Sequence, residues 1–389
     1  MERRLLLLIC VTVLVDTMLY AALAPLLPDL EREFGLSKSG SGLLVAAYPL
    51  GTLLGALPGG WIAARRGPRA AVVAGMLVMT AAGVGFALAS SAAMLDLARF
   101  VQGLGGALTW TAGLAWLGVA VAPERRGEAI GFAIGAAVFG AQFGPVVGVI
   151  ADAVGRGPTF LVVAGVGIVL AVWAASEPRP VARGDTSVSP RVLAGDRRFR
   201  WAVWLTFVAA LAFGVAEVLV PLRLDVLGAS ALGIGTAFFV SALGEALMNP
   251  LVGRFADRRG ANAIVQVAAL LAALTVVLLA APEDPIVLAA LVVAFCIAAG
   301  ALMTPSAQLV SHRAEEIGVD QGWAFALNNI GWSAAVALGA GAGGALGQAV
   351  GDWLPYALCA GLLAATGAVA YGAGRRTPTA SAPPATFPT

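Results

Sequence analysis

Gly60-Trp61-Ile62-Ala63-Ala64-Arg65-Arg66-Gly67-Pro68-Arg69 lies where one long apolar segment ends and the next begins. It returns 193 residues later as Gly253-Arg254-Phe255-Ala256-Asp257-Arg258-Arg259-Gly260-Ala261-Asn262. The likeness spreads beyond the turn. Without gaps, residues 28–72 and 221–265 share fifteen identities in forty-five positions. They include Pro28/Pro221, Gly35/Gly228, Ser37/Ser230, Gly42/Gly235, Gly51/Gly244 and Gly67/Gly260. An Arg-Arg-Gly between two hydrophobic spans, repeated at one offset, marks the chain as two homologous halves.

The solvent for these halves is lipid. Of 389 residues, 59% are apolar and only 12% charged, against about a quarter charged in a soluble domain. Stretches long enough to cross roughly 30 Å of hydrocarbon as helices recur along the chain. Helices satisfy their own backbone groups, so they are the spanning element. The net charge of +2 gives no footprint for nucleic acid, because the basic residues cluster at helix ends. Cys10, Cys296 and Cys359 fall inside apolar runs and read as packing residues rather than disulfides. One Lys against many Arg, with abundant Ala, fits a GC-rich bacterial genome. The opening Met1-Glu2-Arg3-Arg4 before an apolar run has the form of a signal peptide. That run continues past Asp16 to Pro25 as a full span.

Twelve spans are expected, near residues 5–26, 41–63, 70–90, 93–120, 128–150, 158–175, 201–221, 233–253, 262–281, 285–310, 322–348 and 353–374. They divide into a six-helix bundle over 1–175, a polar cytoplasmic linker over 176–200, a second six-helix bundle over 201–374, and a disordered cytoplasmic tail over 375–389. With the N-terminus inside, nineteen arginines collect on the inner side and four basic residues on the outer side. This bias puts both termini in the cytoplasm. Two halves of equal orientation suit parallel repeats that enclose a site near the midplane and rock about it.

The opening decapeptide resembles the loop between the second and third helices of the major facilitator superfamily, G-x-x-x-D-R-x-G-R-R. The resemblance makes Gly60, Arg65, Gly67 and Arg69 conformational residues, together with Gly253, Asp257, Arg258 and Gly260 of the second copy. Ala64 stands where the first copy should carry its aspartate, and Pro68 replaces a basic residue. The second copy keeps the acid as Asp257. Gly131-x8-Gly140-x3-Gly144-Pro145-x2-Gly148 is similar to the fifth-helix pattern of the family's antiporters, with Val149 replacing the last glycine. Proline bends such a helix and glycine lets a neighbour approach. The resemblance implies an all-α protein of twelve transmembrane helices in two pseudo-symmetric six-helix bundles.

Ionisable groups inside spans are costly and mark function. Four stand out: Asp16, Arg99, Glu217 and Glu245. Asp16 lies roughly 16 Å into the first span by helical rise, with Thr12 and Tyr20 one turn away on either side. Val15-Asp16-Thr17-Met18-Leu19-Tyr20, followed by Pro25 and Pro28, resembles the first helix of vesicular amine transporters and related drug:proton antiporters. There the aspartate serves cation recognition or proton coupling. Arg99-Phe100-Val101-Gln102-Gly103-Leu104-Gly105-Gly106-Ala107 resembles the family's fourth-helix R-x-x-Q-G-x-G-x-A, linked to proton transfer. Its axial height brings Arg99 within side-chain reach of Asp16, where charge attraction and burial pull opposite ways on a proton. Pairing with Asp96, or capping of backbone carbonyls, is the alternative for Arg99. Glu217, four residues before Pro221, resembles a glutamate in the vesicular transporters' seventh helix; it is also close enough to the outer edge to reach water. Glu245 has Ser241 and Asn249 at helical spacing, and the stripe is expected to face a cavity or bond a neighbouring helix. The vesicular transporters' acids of the tenth and eleventh helices are missing, since Gly300 and Asn329 stand there.

The expected cavity is apolar and aromatic with sparse polar groups. Its candidates are Tyr20, Tyr48, Gln102, Trp110, Gln142 and Phe143, with Phe139 and Phe239 beside them. The second half adds Phe213, Asn328, Asn329 and Trp332. Aromatic rings beside a carboxylate suit lipophilic cations. The resemblance therefore implies a secondary active transporter: proton-coupled efflux of small lipophilic or cationic compounds, of the multidrug type. A proton-coupled carrier of a polar metabolite is one alternative. A membrane sensor or assembly protein that does not transport is another. No enzyme is expected, because the only His, His312, sits near a helix end and no catalytic or metal cluster stands out. The expected partners are a small-molecule substrate, protons and the lipid bilayer. The energy source is the proton gradient, with no bound cofactor or metal, in a monomer of a bacterial cell membrane.

Overall fold

The computed structural model describes residues 2–122, 125–178, 190–259, 261–319 and 321–376. Gly260 lies outside the described residues, as do residues 377–389 of the expected tail and the side chains of Asp257 and Arg258. The described chain is helical, with no strand among the described residues. The first span is α1 (Glu2–Ala21) continued by α2 (Leu23–Phe34). Ala22 between them keeps helical dihedrals, φ −68° and ψ −15°. The break arises because Pro25 has no N–H to offer the Ala21 carbonyl. The first half is completed by α3 (Lys38–Arg66), α4 (Pro68–Ala87), α5 (Ala92–Ala120), α6 (Arg126–Val154) and α7 (Arg156–Ser176). A short helix, α8 (Pro190–Gly195), precedes α9 (Arg197–Val226), α10 (Ala231–Arg259), α11 (Ala261–Leu278), α12 (Pro285–Ile317), α13 (Gln321–Val350) and α14 (Trp353–Arg376).

Ten of these helices are long and apolar enough to cross a membrane. The 29-residue α5 and the 18-residue α11 bring the spans to twelve. Asp96, Arg99 and Gln102 put polar groups in the first half of α5. The repeat is visible in the helix ends. α3 and α10 begin and end 193 residues apart, and α5 and α12 begin 193 residues apart. Several shared identities have a local cause. Gly35 and Gly228 both take positive φ, +62° and +87°, where a Cβ is strained. Ser37 and Ser230 both accept a bond from the backbone N–H three residues on, at 3.2 Å each, and so cap α3 and α10.

Glycine sets how closely helices approach. α6 packs along α1 and α2. A Cβ at Gly140 would fall 2.2 Å from the Leu14 carbonyl oxygen, and one at Gly144 would fall 2.4 Å from Ala21 Cβ. At Gly148 it would meet the Ala22 oxygen at 2.4 Å. The Thr17 hydroxyl adds a bond to the Ala137 carbonyl at 2.8 Å across the same seam. The fifth-helix glycines are thus one face, pressed on the span that carries Asp16. Gly60, by contrast, faces open space, and Gly253 makes only ordinary contact.

The two bundles meet through α3 against α13 and through α6 and α2 against α10. Their contact is tightest at the distal end, opposite both chain termini. A Cβ at Gly42 would meet the Ala340 oxygen at 2.6 Å, and one at Gly344 the Lys38 oxygen at 2.5 Å. Arg32 pairs with Asp225 at 2.6 Å, Lys38 with Asp352 at 2.6 Å, and Ser39 N–H donates to the Gln348 amide oxygen at 3.0 Å. Among the described residues, hydrogen bonds between bundles lie at mid-depth or at this end.

The terminal end holds each bundle internally. Arg69 donates to the Glu177 carbonyl at 2.8 Å, Trp173 donates to the Glu177 carboxylate at 3.0 Å, and Arg4 lies 3.7 Å from it. Glu177, read from sequence as a linker residue, is a buried clamp. Asp196 caps α9 and receives Arg313 of α12 through two bonds, at 2.9 and 2.7 Å. Arg313, followed by the Phe199 N–H, holds the Asp196 carboxyl well below its usual range. Arg65 lies over the Trp61 ring, 4.9 Å from its centroid.

The close approach of α6 to the first span gives a direct expectation. Gly144→Ala should destabilise the protein in detergent by about 1–3 kcal/mol through overpacking. Gly131→Ala, whose Cβ meets nothing, should leave the melting temperature unchanged or raised. Equal melting curves for the two variants would contradict this packing.

Candidate functional site

Asp16 is fully buried, at 0% exposure, and each of its oxygens has a donor. Tyr48 of α3 donates to Oδ1 at 2.8 Å, and the Trp110 indole of α5 donates to Oδ2 at 2.9 Å. The carboxylate can lie this close to α5 because residue 106 is glycine. A Cβ there would sit 2.7 Å from Asp16 Oδ1 and 2.9 Å from the Tyr48 hydroxyl. Thr12, one turn away on the same face, is also fully buried, and its hydroxyl has no partner. Burying an ionised carboxylate without compensation costs several kcal/mol, so these two donors are what the position requires.

Arg99 is buried at 2% exposure, yet it does not pair directly with Asp16. Its guanidinium donates to the carbonyls of Leu19 and Tyr20 at 3.2 and 3.3 Å, and to the Gln102 side chain at 2.9 Å. It thereby meets backbone oxygens just before the Pro25 interruption. It also lies over the Tyr48 ring, 5.1 Å from the centroid. A cation on the ring face favours the hydroxyl as donor, so Arg99 acts on Asp16 through Tyr48. Nε of Arg99 has no partner.

Tyr20 joins this group to the other bundle. Its hydroxyl spans both oxygens of Glu217 on α9, at 2.8 and 2.7 Å. Its ring lies 5.0 Å from Tyr48 and 5.5 Å from Trp332 of α13. The structure therefore gathers Asp16, Tyr20, Tyr48, Arg99, Gln102, Trp110, Glu217 and Trp332 into one polar-aromatic cluster. Glu217 is tied across the bundle interface rather than reaching toward water.

The remaining sequence candidates lie apart from it. Phe143 packs with Phe139 at 4.8 Å and with Phe239 at 6.2 Å, on the seam of α6 and α10. Phe213 packs on Phe295 inside the second bundle, at 5.4 Å. Gln142 is buried and Asn329 is half-buried. The amide oxygen of Asn328 is buried without a partner. Among the described residues, no hydrogen bond joins these three to the cluster. Glu245 sits elsewhere, on α10 against Gly300 of α12, where a Cβ would lie 2.5 Å from its carboxyl carbon. Among the described residues no cluster of His, Cys, Asp or Glu is arranged to hold a metal ion.

The family model described as Major Facilitator Superfamily matches residues 9–330 and 202–389. The chain belongs to the major facilitator superfamily. It is a multi-pass membrane protein with the superfamily's two six-helix bundles. It is 31% identical over 121 residues to the MFS-type transporter ppzB of Metarhizium rileyi, covering 30% of this chain and 25% of that protein. It is 34% identical over 139 residues to the probable vesicular acetylcholine transporter-B of Danio rerio, covering 33% and 28%. It is 33% identical over 103 residues to the multidrug resistance protein Stp of Mycobacterium tuberculosis, covering 26% and 19%. The match thus spans about a quarter of the length of these relatives.

Tyr20→Phe removes the one donor that bridges the bundles at mid-depth and leaves Glu217 unbonded. Such a loss costs about 1–3 kcal/mol. Spin-label distances between the distal ends of α2 and α9 should shift toward longer values in this variant. An unchanged distance distribution would show that the bond carries no weight in holding the bundles together.

Proposed function

We propose that the protein exports small lipophilic or cationic compounds in exchange for protons, by alternating access. Asp16 is the proton-bearing carboxylate, and Arg99 orients it through Tyr48. The observation that carries this reading is the join between Asp16 and the bundle interface. Tyr48 bonds Asp16 and packs at a tilt against Tyr20, and Tyr20 bonds Glu217 of the other bundle. Any tilt that parts the bundles at mid-depth breaks the last of these contacts and loosens the first. Proton binding at Asp16 and the bundle geometry therefore act on one another. The aromatic surroundings suit a lipophilic cation, and the relatives named for multidrug resistance and for vesicular acetylcholine transport support that substrate class.

The arginine bias supports a cytoplasmic terminal end. With that orientation, the tight distal contacts correspond to a state closed to the outside, and the bundles rock about the 176–200 linker. A bacterial cell membrane is the setting this reading assumes. The unpartnered Asn328 amide oxygen favours a second reading, a polar metabolite as substrate. Metabolite flux in vesicles without any cation transport would select it.

In inverted vesicles, Asp16→Asn should abolish proton-driven uptake of a lipophilic cation while expression and melting temperature stay at wild-type values. Gradient-driven uptake by that variant at the wild-type rate would remove Asp16 from the mechanism.

A further inference from the structure

Of the three acids at mid-depth, two are already occupied. Asp16 is held by Tyr48 and Trp110, and Glu217 by Tyr20. Glu245 has no hydrogen-bond or ion-pair partner among the described residues. It stands midway along the 29 residues of α10, where a charge in hydrocarbon is costly. Its neighbours do not meet it. The Ser241 hydroxyl donates to the Ala237 carbonyl at 2.7 Å, and Asn249 accepts from Thr304 at 3.2 Å.

The repeat shows that this arrangement is particular to the second half. At the offset of 193 residues, Thr52 is the counterpart of Glu245, Gly103 of Cys296 and Ala107 of Gly300. In the first half the α3–α5 seam is closed by backbone contact. A Cβ at Gly103 would fall 2.0 Å from the Tyr48 carbonyl oxygen, and one at Gly51 would fall 2.0 Å from that of Phe100. In the second half, a Cβ at Gly244 meets only side chains, Ile297 at 2.9 Å and Val293 at 3.9 Å. The backbones there stand further apart, and the Glu245 carboxyl group fills the recess that Gly300 leaves. Glu245 is half-buried. Leu243 and Leu247, two positions before and after Glu245, are 39% and 66% exposed, on the opposite side of the helix.

We infer that the Glu245 carboxylate, seated over Gly300, is a second cation site of the transporter and receives the positively charged end of an organic cation. The assignment rests on the transport reading above and divides its acids. Asp16 carries the proton, Glu217 ties the bundles, and Glu245 sets selectivity for charge. A carboxylate without a donor is the group that gains most from an incoming cation. Gly300 gives that carboxylate its position.

Binding to purified protein in detergent tests this, with tetraphenylphosphonium as cationic probe and Nile red as neutral lipophilic probe. Glu245→Gln should weaken tetraphenylphosphonium relative to Nile red, moving the ratio of affinities by about tenfold or more. Gly300→Ala keeps the charge but puts a methyl where the carboxyl group lies, and should move the ratio the same way. Monodisperse elution and a wild-type melting temperature establish that each variant is folded. If Glu245→Gln unfolds, the Gly300→Ala ratio decides. A ratio within about twofold of wild type in a folded variant overturns the site and leaves the transport reading standing. Failure of the wild-type protein to bind either probe removes that reading, and the site with it.

Discussion

A carboxylate in the middle of a membrane-spanning bundle must be met by hydrogen-bond donors, by a countercharge or by a proton. Asp16 is met by donors, and much of the first bundle is arranged to supply them. Tyr48 and Trp110 come from different helices, and Gly106 removes the side chain that would keep the carboxylate away from α5. Arg99 reaches the same place indirectly, over the Tyr48 ring, while its own donors cover carbonyls near the Pro25 interruption. The break in the first span and the buried arginine thus belong together. One frees the backbone ladder locally, and the other satisfies polar groups nearby.

The repeat supplies a shared frame that the two halves use differently. Turn glycines and serine caps recur at one offset because the backbone demands them in both copies. The helix seams do not recur. α3 and α5 are zipped by glycines, whereas α10 and α12 enclose an acid. Proton carriage in one bundle and charge selection in the other is a division this asymmetry permits. Tyr20 and Glu217 are where the two meet.

The family and its twelve spans were legible in the sequence, because hydropathy and the duplicated loop depend only on local composition and spacing. So was Asp16 as an acid deep within a span, since an acid at that depth is conspicuous. Its donors were legible only as candidate lining residues. Tyr48 and Trp110 lie 32 and 94 residues from Asp16, and nothing local says that they point at it. The expected pairing of Asp16 with Arg99 was argued from axial height, which fixes depth but not direction around the helix. The arginine instead turns to backbone carbonyls and Gln102. Phe213 was read as cavity lining, and its contact with Phe295 was not legible, because nothing local says which ring 82 residues away it meets. Glu177 looked like linker because the polar stretch begins there. Its backbone carbonyl is held by Arg69, 108 residues away.

The distal seam joins small residues in the interior to charged pairs at the rim. Arg32 with Asp225, and Lys38 with Asp352, stand partly in water, with side-chain exposures from 23% to 58%. Attraction between such groups fades once mobile ions crowd around them, over a Debye length of about 8 Å at physiological ionic strength. The glycine contacts beneath do not respond to electrolyte. The grip between the bundles at this end is therefore sensitive to the saltiness of the fluid around it, and brine would weaken the charged rim while leaving the glycine contacts beneath untouched.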